Sequence, residues 1–222
     1  MGMGGGIILL IGMNVVYPLN ICVPIHGLIQ FGNNGFRVYK LKSFIRFKIC
    51  LFFVIGALLG VLFLFRLFKL FNLEIVGYLC ILTLCLYTVF KPKKLSTPKL
   101  NQWGFFTLGI ITGSLGMVIG ATGPLLAPFF LREEWSQQEI VANKSFCQFV
   151  IHFLKFPFFI SLGFEYFSYK NEIIILVLGG FIGSYIGVKL LSYIEKEKFV
   201  FIYKTILFFV SLRLLYKVIF VI

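Results

Sequence analysis

The stretch from Gly120 to Phe130, GATGPLLAPFF, predicts a membrane helix that is interrupted within an apolar segment. It places two glycines and two prolines inside an otherwise apolar segment, a composition that breaks a helix. Gly123 permits a positive φ or a close backbone approach, and Pro124 suits the first position of a new helix because its missing N–H costs nothing there. A helix that begins at this point would direct unpaired backbone N–H groups and its positive dipole end into the segment, where they favour an anion.

The composition of the whole chain excludes a soluble protein. Of its 222 residues, 59% are hydrophobic, 18% aromatic and 13% charged, and the mean hydropathy is +0.98. A soluble domain averages about 25% charged residues, so this chain has too little polar surface to cover a core. A membrane-crossing helix with its connection takes about 30 residues, which gives about seven transmembrane helices. We therefore predict an all-α, multi-pass protein of the cell membrane (inner or plasma membrane).

The charged residues are mostly basic. Lysine and arginine number 21 against 8 acidic residues, all of them glutamate, for a net charge of +13. With so few carboxylates, we expect no metal site and no carboxylate-pair catalysis. No HExxH, P-loop or GxGxxG motif occurs, so we expect no cofactor. The basic residues are scattered between apolar runs, which argues against nucleic acid and, inside a membrane, favours a small anionic substrate.

The second half of the chain repeats the first. An offset of 118 residues aligns Gly2 with Gly120, Gly5 with Gly123, Tyr17 with Trp135, Gln30 with Gln148, Phe31 with Phe149 and Arg37 with Lys155. After a five-residue slip, the aligned pairs are Gly56 with Gly179, Gly60 with Gly183 and Glu74 with Glu197. Paired repeats with broken helices that meet at a central site are a recurrent transporter architecture. We divide the chain into membrane repeat 1 (1–90), a basic linker (91–101) and membrane repeat 2 (102–222).

The linker carries the clearest signal for orientation. Residues 91–100, KPKKLSTPKL, contain four lysines and two prolines, so we expect a loop that the positive-inside rule places in the cytoplasm. Threading the chain from this loop places the basic loop 37–48 and the C-terminus inside. The loops near Phe71, Glu133 and Glu197 would then lie outside.

One helix of the duplicated plan has no partner in this sequence. The apolar helix predicted at residues 103–119 leads into the second glycine motif, and its counterpart would precede Met1. We expect either that the functional protein begins upstream or that it is a variant with seven crossings.

A polar stripe lies downstream of each glycine motif. In the second half, its members are spaced four, four and three residues apart, which places them on one helix face: Lys144, Gln148, His152 and Lys155. Their repeat mates have the same spacing: His26, Gln30, Asn34 and Arg37. Polar groups in an apolar segment usually face a cavity or the bundle interior, so the two stripes predict the walls of one polar pathway.

These features also have purely structural interpretations. The glycine motifs could serve close helix packing, and the glutamines could only join helices. Arg37 and Lys155 could snorkel to the membrane interface, and His152 could be a hydrogen-bonded core histidine. Glu139 begins an apolar segment, and we expect it to cap a helix start. If protons are coupled to transport, His152 and Glu139 are the candidates.

At these residues the chain resembles the TauE/SafE family of sulfite exporters. The resemblance is carried by MGMGGGIILL (1–10), GATGPLLAPFF (120–130) and EIVANKSFCQ (139–148), together with the basic linker and the duplication. It implies an inner-membrane carrier that exports small sulfur-containing anions, such as sulfite or organosulfonates, driven by the proton gradient. By position, the first family motif matches Gly4, Gly5 and Gly6, and the second matches Gly120, Gly123 and Pro124. Ala121 and Thr122 stand where the family often has further glycines.

We therefore predict an anion path between the two halves and no catalytic or metal-binding residue. Backbone N–H groups at the glycine breaks would hold the anion, glutamines would orient it, and basic side chains would attract it. The predicted substrate-binding residues are Gly4, Gly5, Gly6, Gln30, Asn34, Arg37, Gly120, Gly123, Pro124, Lys144, Gln148, His152 and Lys155. A non-transporting accessory subunit remains an alternative. An intramembrane hydrolase using Ser114 and His152 is a weaker one. The expected partners are the small anion and the bilayer, and a homo-oligomer is left open.

Overall fold

A computed structural model describes residues 5–70, 74–90, 99–130, 132 and 134–191, and single positions between 201 and 219. The described part contains eight α-helices and two short 3-10 helices. The α-helices are α1 (Gly5–Met13), α2 (Leu19–Lys40), α3 (Phe47–Leu70), α4 (Glu74–Phe90), α5 (Gln102–Ile119), α6 (Gly123–Phe130), α7 (Gln137–Ser161) and α8 (Lys170–Leu191). The predicted all-α class is confirmed.

Two helices of the described part are long and apolar enough to cross a bilayer, namely Phe47–Leu67 and Gln102–Ile119. A third candidate is the pair Gln137–Ser161 and Tyr166–Ile182, which is bent by 117°. The helix α2 has 22 residues, which is long enough to span, but it carries one of the polar stripes. Polar helices such as α2 and α7 need neighbours that shield their polar face from lipid.

The apolar helices α3 and α5 pack with almost no space between their backbones. A Cβ added at Gly56 would lie 2.0 Å from the Phe106 carbonyl oxygen, and one at Gly109 would lie 2.2 Å from the Phe53 carbonyl oxygen. Only glycine fits at such contacts, since small residues let membrane helices approach closely. The α3–α5 pair therefore holds the end of α5, where the chain breaks, in a fixed place.

The polar helices α2 and α7 form the second close pair. A Cβ at Gly27 would meet the Lys155 side chain at 2.8 Å, and the Phe31 ring stacks on Phe149 with 4.6 Å between centroids. Because the contact on α7 moves toward its start as the contact on α2 moves toward its end, the two helices run antiparallel. The side chains of both polar stripes face this interface.

The chain breaks between α5 and α6, where the glycine motif predicts it. Gly120 has φ 82°, a conformation that favours glycine, and its N–H bonds to the Gly116 carbonyl to end α5. The new helix starts at Gly123, and its first turn is closed by the Leu126 N–H on the Thr122 carbonyl. The prediction is corrected in two details. The positive φ is at Gly120 and not Gly123, and Pro124 is the second residue of the new helix.

After the break, α6 returns toward the start of α5. The Arg132 guanidinium donates to the Leu100 carbonyl, and the Phe105 and Phe130 rings lie 5.3 Å apart. The α5–α6 unit is thus a hairpin whose two ends lie at the same end of the molecule.

At this end of the molecule, ion pairs connect the basic loop after α2, the end of the linker and the segment between α6 and α7. Lys99 Nζ lies 3.3 Å from the Glu134 carboxylate, and Arg46 Nη2 lies 2.7 Å from the Glu139 carboxylate. A hydrogen bond from its own backbone N–H, and then Lys99, lower the pKa of the Glu134 carboxyl, which keeps it ionised at neutral pH. The prediction that the loop near Glu133 and the basic loop 37–48 lie on opposite sides of the bilayer is therefore wrong. The cause is the return of α6, which the threading counted as part of one crossing.

The opposite end of the α2–α7 pair is closed by aromatic contacts. The Tyr17 hydroxyl donates to Glu172 at 3.3 Å, and the Tyr17 and Tyr169 rings meet edge to face with 6.2 Å between centroids. These contacts join the connection before α2 to the start of α8. The linker residues 91–98, the loop at Phe71 and the loop at Glu197 lie outside the described residues.

Candidate functional site

The two polar stripes lie in one interface, between α2 and α7, and most of their side chains are buried. Lys155 is 0% exposed and Lys144 is 2% exposed. The other buried members are His26, Gln30, Asn34, Gln148 and His152, and Arg37 is partly buried. Burying such groups costs free energy unless each finds a hydrogen bond or a counter-charge. The snorkelling alternative is therefore wrong for Lys155, which stays inside the bundle.

Lys155 is held by the broken helix. Its Nζ donates to the Gly120 carbonyl oxygen at 2.6 Å, an oxygen at the end of α5 where helical carbonyls lack intrahelical partners. On the other repeat, His26 Nε2 lies 2.8 Å from the Gly6 carbonyl oxygen in the first turn of α1. Each interrupted segment therefore supplies one backbone oxygen to a basic side chain of a stripe.

Two histidines meet next to Lys155. The His26 and His152 rings lie 5.7 Å apart between centroids, at 71°, and both lie within Coulombic range of Lys155. The Nδ1 atoms of both rings and the Thr122 hydroxyl are buried and have no hydrogen-bond partner among the described residues. We call Lys155, His26, His152 and Thr122, which follows the Lys155 partner Gly120 by two residues, the Lys155 cluster. It offers one ammonium donor and three unpartnered polar atoms.

The tautomer of His26 follows from its contact. Because a carbonyl oxygen can only accept, Nε2 of His26 carries the hydrogen that bonds to Gly6, and the neutral ring presents a lone pair at Nδ1. That atom can take up a proton and then donate to an oxyanion.

Gly6 lies against the stripe of α2. A Cβ added at Gly6 would meet Gln30 Nε2 at 3.2 Å and His26 Nε2 at 3.6 Å. A larger residue would push both polar side chains away from α1. The structure thus brings Gly6, Gln30 and His26 together, as the predicted site requires.

The other end of the stripe holds a second group of basic side chains. Arg37 Nη1 donates to Asn34 Oδ1 at 3.0 Å, and the Asn34 amide donates to the Gln30 carbonyl at 2.9 Å. Lys144 of α7 lies within Coulombic range of Arg37. We call Arg37, Asn34 and Lys144 the Arg37 cluster. With a rise of about 1.5 Å per residue, the step from His26 to Arg37 separates the two clusters by about 16 Å along α2.

The structure brings only part of the predicted glycine set to the stripe. Gly120 and Gly6 contact it through their carbonyl oxygens. Gly5 begins α1 but is exposed, and a Cβ there would meet nothing within 4 Å. Gly123 is buried at the start of α6. Gly4 and the side chain of Pro124 lie outside what the structure describes.

Two residues of the Lys155 cluster were missing from the predicted binding set. His26 had a signal, since it occupies the first position of the stripe in the first half. Thr122 had none beyond its place in the motif, because its role depends on the fold of the break. An added Cβ at Gly116 would meet Thr122 Cγ2 at 3.0 Å and Ile151 Cγ2 at 2.9 Å, which places Thr122 against the helix that carries His152.

The remaining chemical predictions concern Ser114 and Glu139. The Ser114 hydroxyl donates to the Gly60 carbonyl at 2.9 Å, so it faces α3 and does not pair with His152. Glu139 closes a capping box with Ser136 at the start of α7, which confirms its predicted capping role. No group of three or more potential metal ligands occurs in the described part of the chain.

One comparison with known proteins gave a match. Residues 1–214 match the profile of the family described as Sulfite exporter TauE/SafE. Neither the comparison with curated proteins nor that with solved structures gave a match. Since the matched range covers nearly the whole chain, the chain belongs to the TauE/SafE family of multi-pass membrane transporters. The resemblance inferred from the motifs is confirmed. The hydrolase alternative is wrong, because these proteins are transporters and not enzymes.

Proposed function

We propose that this member of the sulfite exporter family exports small sulfur-containing anions, such as sulfite or organosulfonates, and that the proton gradient drives it. The observation that carries the proposal is the Lys155 cluster, a buried basic site between two interrupted helices. Oxyanions are held by N–H and O–H donors, and charge-assisted donors such as ammonium are the strong ones. Lys155 and Thr122 would supply such donors.

The polarity of the surroundings also favours an anion. The described glutamates are engaged elsewhere, for example Glu139 with Arg46 and Glu134 with Lys99. The start of α6 adds the positive end of a helix dipole at Gly123, which favours negative charge. A cation in the Lys155 cluster would be repelled by the Lys155 ammonium group.

The helix positions support the proposal of two repeats. Leu19 and Gln137, which begin α2 and α7, are 118 residues apart. The start of α8 follows that of α3 by 123 residues, from Phe47 to Lys170. These are the two offsets of the sequence alignment. We therefore infer repeats at 1–90 and 102–222 joined by the linker 91–101, with about seven transmembrane helices in all.

The antiparallel pair α2 and α7 supports inverted repeats. Phe31 and Phe149 are repeat mates, and their rings stack on each other. Equivalent residues touch where a pseudo-two-fold axis passes, and an axis in the membrane plane relates the halves of many secondary transporters. We place the basic linker in the cytoplasm because of the positive-inside rule. The return of α6 reverses the sides that the threading gave to all later segments, so the cytoplasmic C-terminus expected from it is not proposed again.

Flux of radiolabelled sulfite into proteoliposomes under an imposed pH gradient tests this function, with organosulfonates as competitors. We expect saturable flux that depends on the gradient and that at least one sulfonate inhibits. Folded protein that carries no flux, but copurifies with a stoichiometric partner, would point to the accessory subunit instead.

A further inference from the structure

The basic residues of the pathway are divided between its two ends. Lys155 and His26 lie in one cluster, and Arg37 and Lys144 lie in the other. In the repeat alignment, Arg37 corresponds to Lys155, and His26 corresponds to Lys144. Each cluster therefore combines the same two repeat positions, one from each half. The antiparallel arrangement of α2 and α7 places the two equivalent clusters at opposite ends of the interface.

The distance between the clusters is too large for one small anion. His26 and Arg37 are separated by about 16 Å along α2, at about 1.5 Å per residue. Gln30 lies four residues after His26 on the same face of α2, between His26 and Arg37, and its amide nitrogen would lie 3.2 Å from a Cβ added at Gly6. Gln148 holds the equivalent position on α7 and is 7% exposed. Two amide side chains thus separate the two basic groups.

The Arg37 cluster has the chemistry of an anion site in its own right. Lys144 is buried, and Arg37 carries a charge that it keeps at any physiological pH. An anion between Lys144 and Arg37 would receive charge-assisted hydrogen bonds from both side chains. The hydrogen bond that Arg37 Nη1 donates to Asn34 Oδ1 orients the guanidinium group, whose planar fork suits two-point binding of an oxyanion.

We propose that the pathway contains two separate anion subsites, the Lys155 cluster and the Arg37 cluster, between which the substrate passes along Gln30 and Gln148. The inference rests on the proposed transport function and adds to it that one chain holds two anions at saturation. The two subsites differ in chemistry. The Lys155 cluster has imidazoles that can exchange a proton, and the Arg37 cluster has a guanidinium that cannot.

Equilibrium binding of radiolabelled sulfite to the purified full chain in detergent tests the proposal. We expect two sulfite ions per chain at saturation, one in Lys155→Met, one in Arg37→Met, and two in the control Lys99→Met. Lys99 carries the same charge but lies exposed at the end of the molecule. Lys144→Met provides a second variant of the Arg37 cluster in case Arg37→Met does not fold, and thermal unfolding in detergent monitors folding of each variant.

The outcomes separate this inference from the function on which it rests. Wild-type protein that transports sulfite but binds one ion per chain, with binding abolished by either Lys155→Met or Lys144→Met, would overturn the second subsite and leave the transport function intact. A chain that neither binds nor transports sulfite would overturn both.

Discussion

Among single residues, two glycines without side chains determine where Lys155 lies. Gly27 faces the Lys155 side chain, and a Cβ there would lie 2.8 Å from Cδ. Gly120 supplies the carbonyl oxygen that Lys155 bonds because its positive φ turns the chain at the end of α5. Leu10 and Val23 lie close to the missing side chain of Gly120, so the turn is also packed. Gly27, Gly120 and the end of α5 therefore fix the position of the Lys155 ammonium group.

We predict that Gly27→Ala lowers sulfite transport at least tenfold, because the new methyl group pushes Lys155 away from Gly120. The matched control is Gly32→Ala on the same helix, where an added Cβ would meet nothing within 4 Å. Gly32→Ala should leave transport unchanged and raise the stability of α2 by up to about 1 kcal/mol. Flux measurements on both variants in proteoliposomes, with thermal unfolding alongside, check the prediction. Equal flux in the two variants would contradict it.

The stripe residues could be predicted from the sequence, and the contacts that orient them could not. A spacing of four, four and three is a local property of a helix, and it identified Lys155, His152 and Gln148. The Thr122 hydroxyl and the positive φ of Gly120 depend on how α5, α6 and α7 pack. Nothing in the motif alone assigns the positive φ to Gly120 in preference to Gly123, because glycine permits it at either place.

Among the helices, the close pair α3 and α5 fixes the place at which the chain breaks after α5. A Cβ at Gly56 would overlap the Phe106 carbonyl at 2.0 Å, whereas its repeat mate Gly179 on α8 has nothing within 4 Å. We predict that Gly56→Ala destabilises the protein by about 1–3 kcal/mol, because the backbones of α3 and α5 must separate. Gly179→Ala is the matched control and should be neutral or stabilising. Thermal unfolding in detergent measures both, and similar loss of stability in the two variants would disprove the close packing of α3 on α5.

The extent of α5 was predictable, and the course of α6 was not. The expected helix at 103–119 agrees with Gln102–Ile119 to one residue at its start, since an asparagine cap and a glycine end mark its bounds in the sequence. The return of α6 depends on distant contacts, such as Phe105 with Phe130 and Arg132 with Leu100. Local composition shows that the chain breaks at Gly120 but not which way it continues.

At the scale of the whole molecule, the corrected topology puts the basic loop after α2 and the start of α7 on one side. Lys42 and Gln138 are both exposed in these regions. We predict that Lys42→Cys and Gln138→Cys are both modified by a membrane-impermeant thiol reagent from the cytoplasmic side, in accordance with the positive-inside rule. The unsubstituted protein is the control for labelling of its own cysteines. Modification of the two positions from opposite sides would contradict the hairpin of α5 and α6.

The duplication was visible in the sequence because matched glycines and polar residues recur at fixed offsets. The consequence for the site could not be predicted from the sequence. Only the antiparallel pairing of α2 and α7 shows that repeat mates lie at opposite ends of one interface. We infer that an oxyanion passes through this interface and is bound by Lys155.

The most direct test compares gradient-driven sulfite flux in Lys155→Met and Lys99→Met proteoliposomes at equal amounts of folded protein. Methionine keeps the length and apolar stem of lysine at both positions and removes the charge. We expect flux reduced at least tenfold in Lys155→Met and unchanged in Lys99→Met. Wild-type flux in Lys155→Met would contradict it.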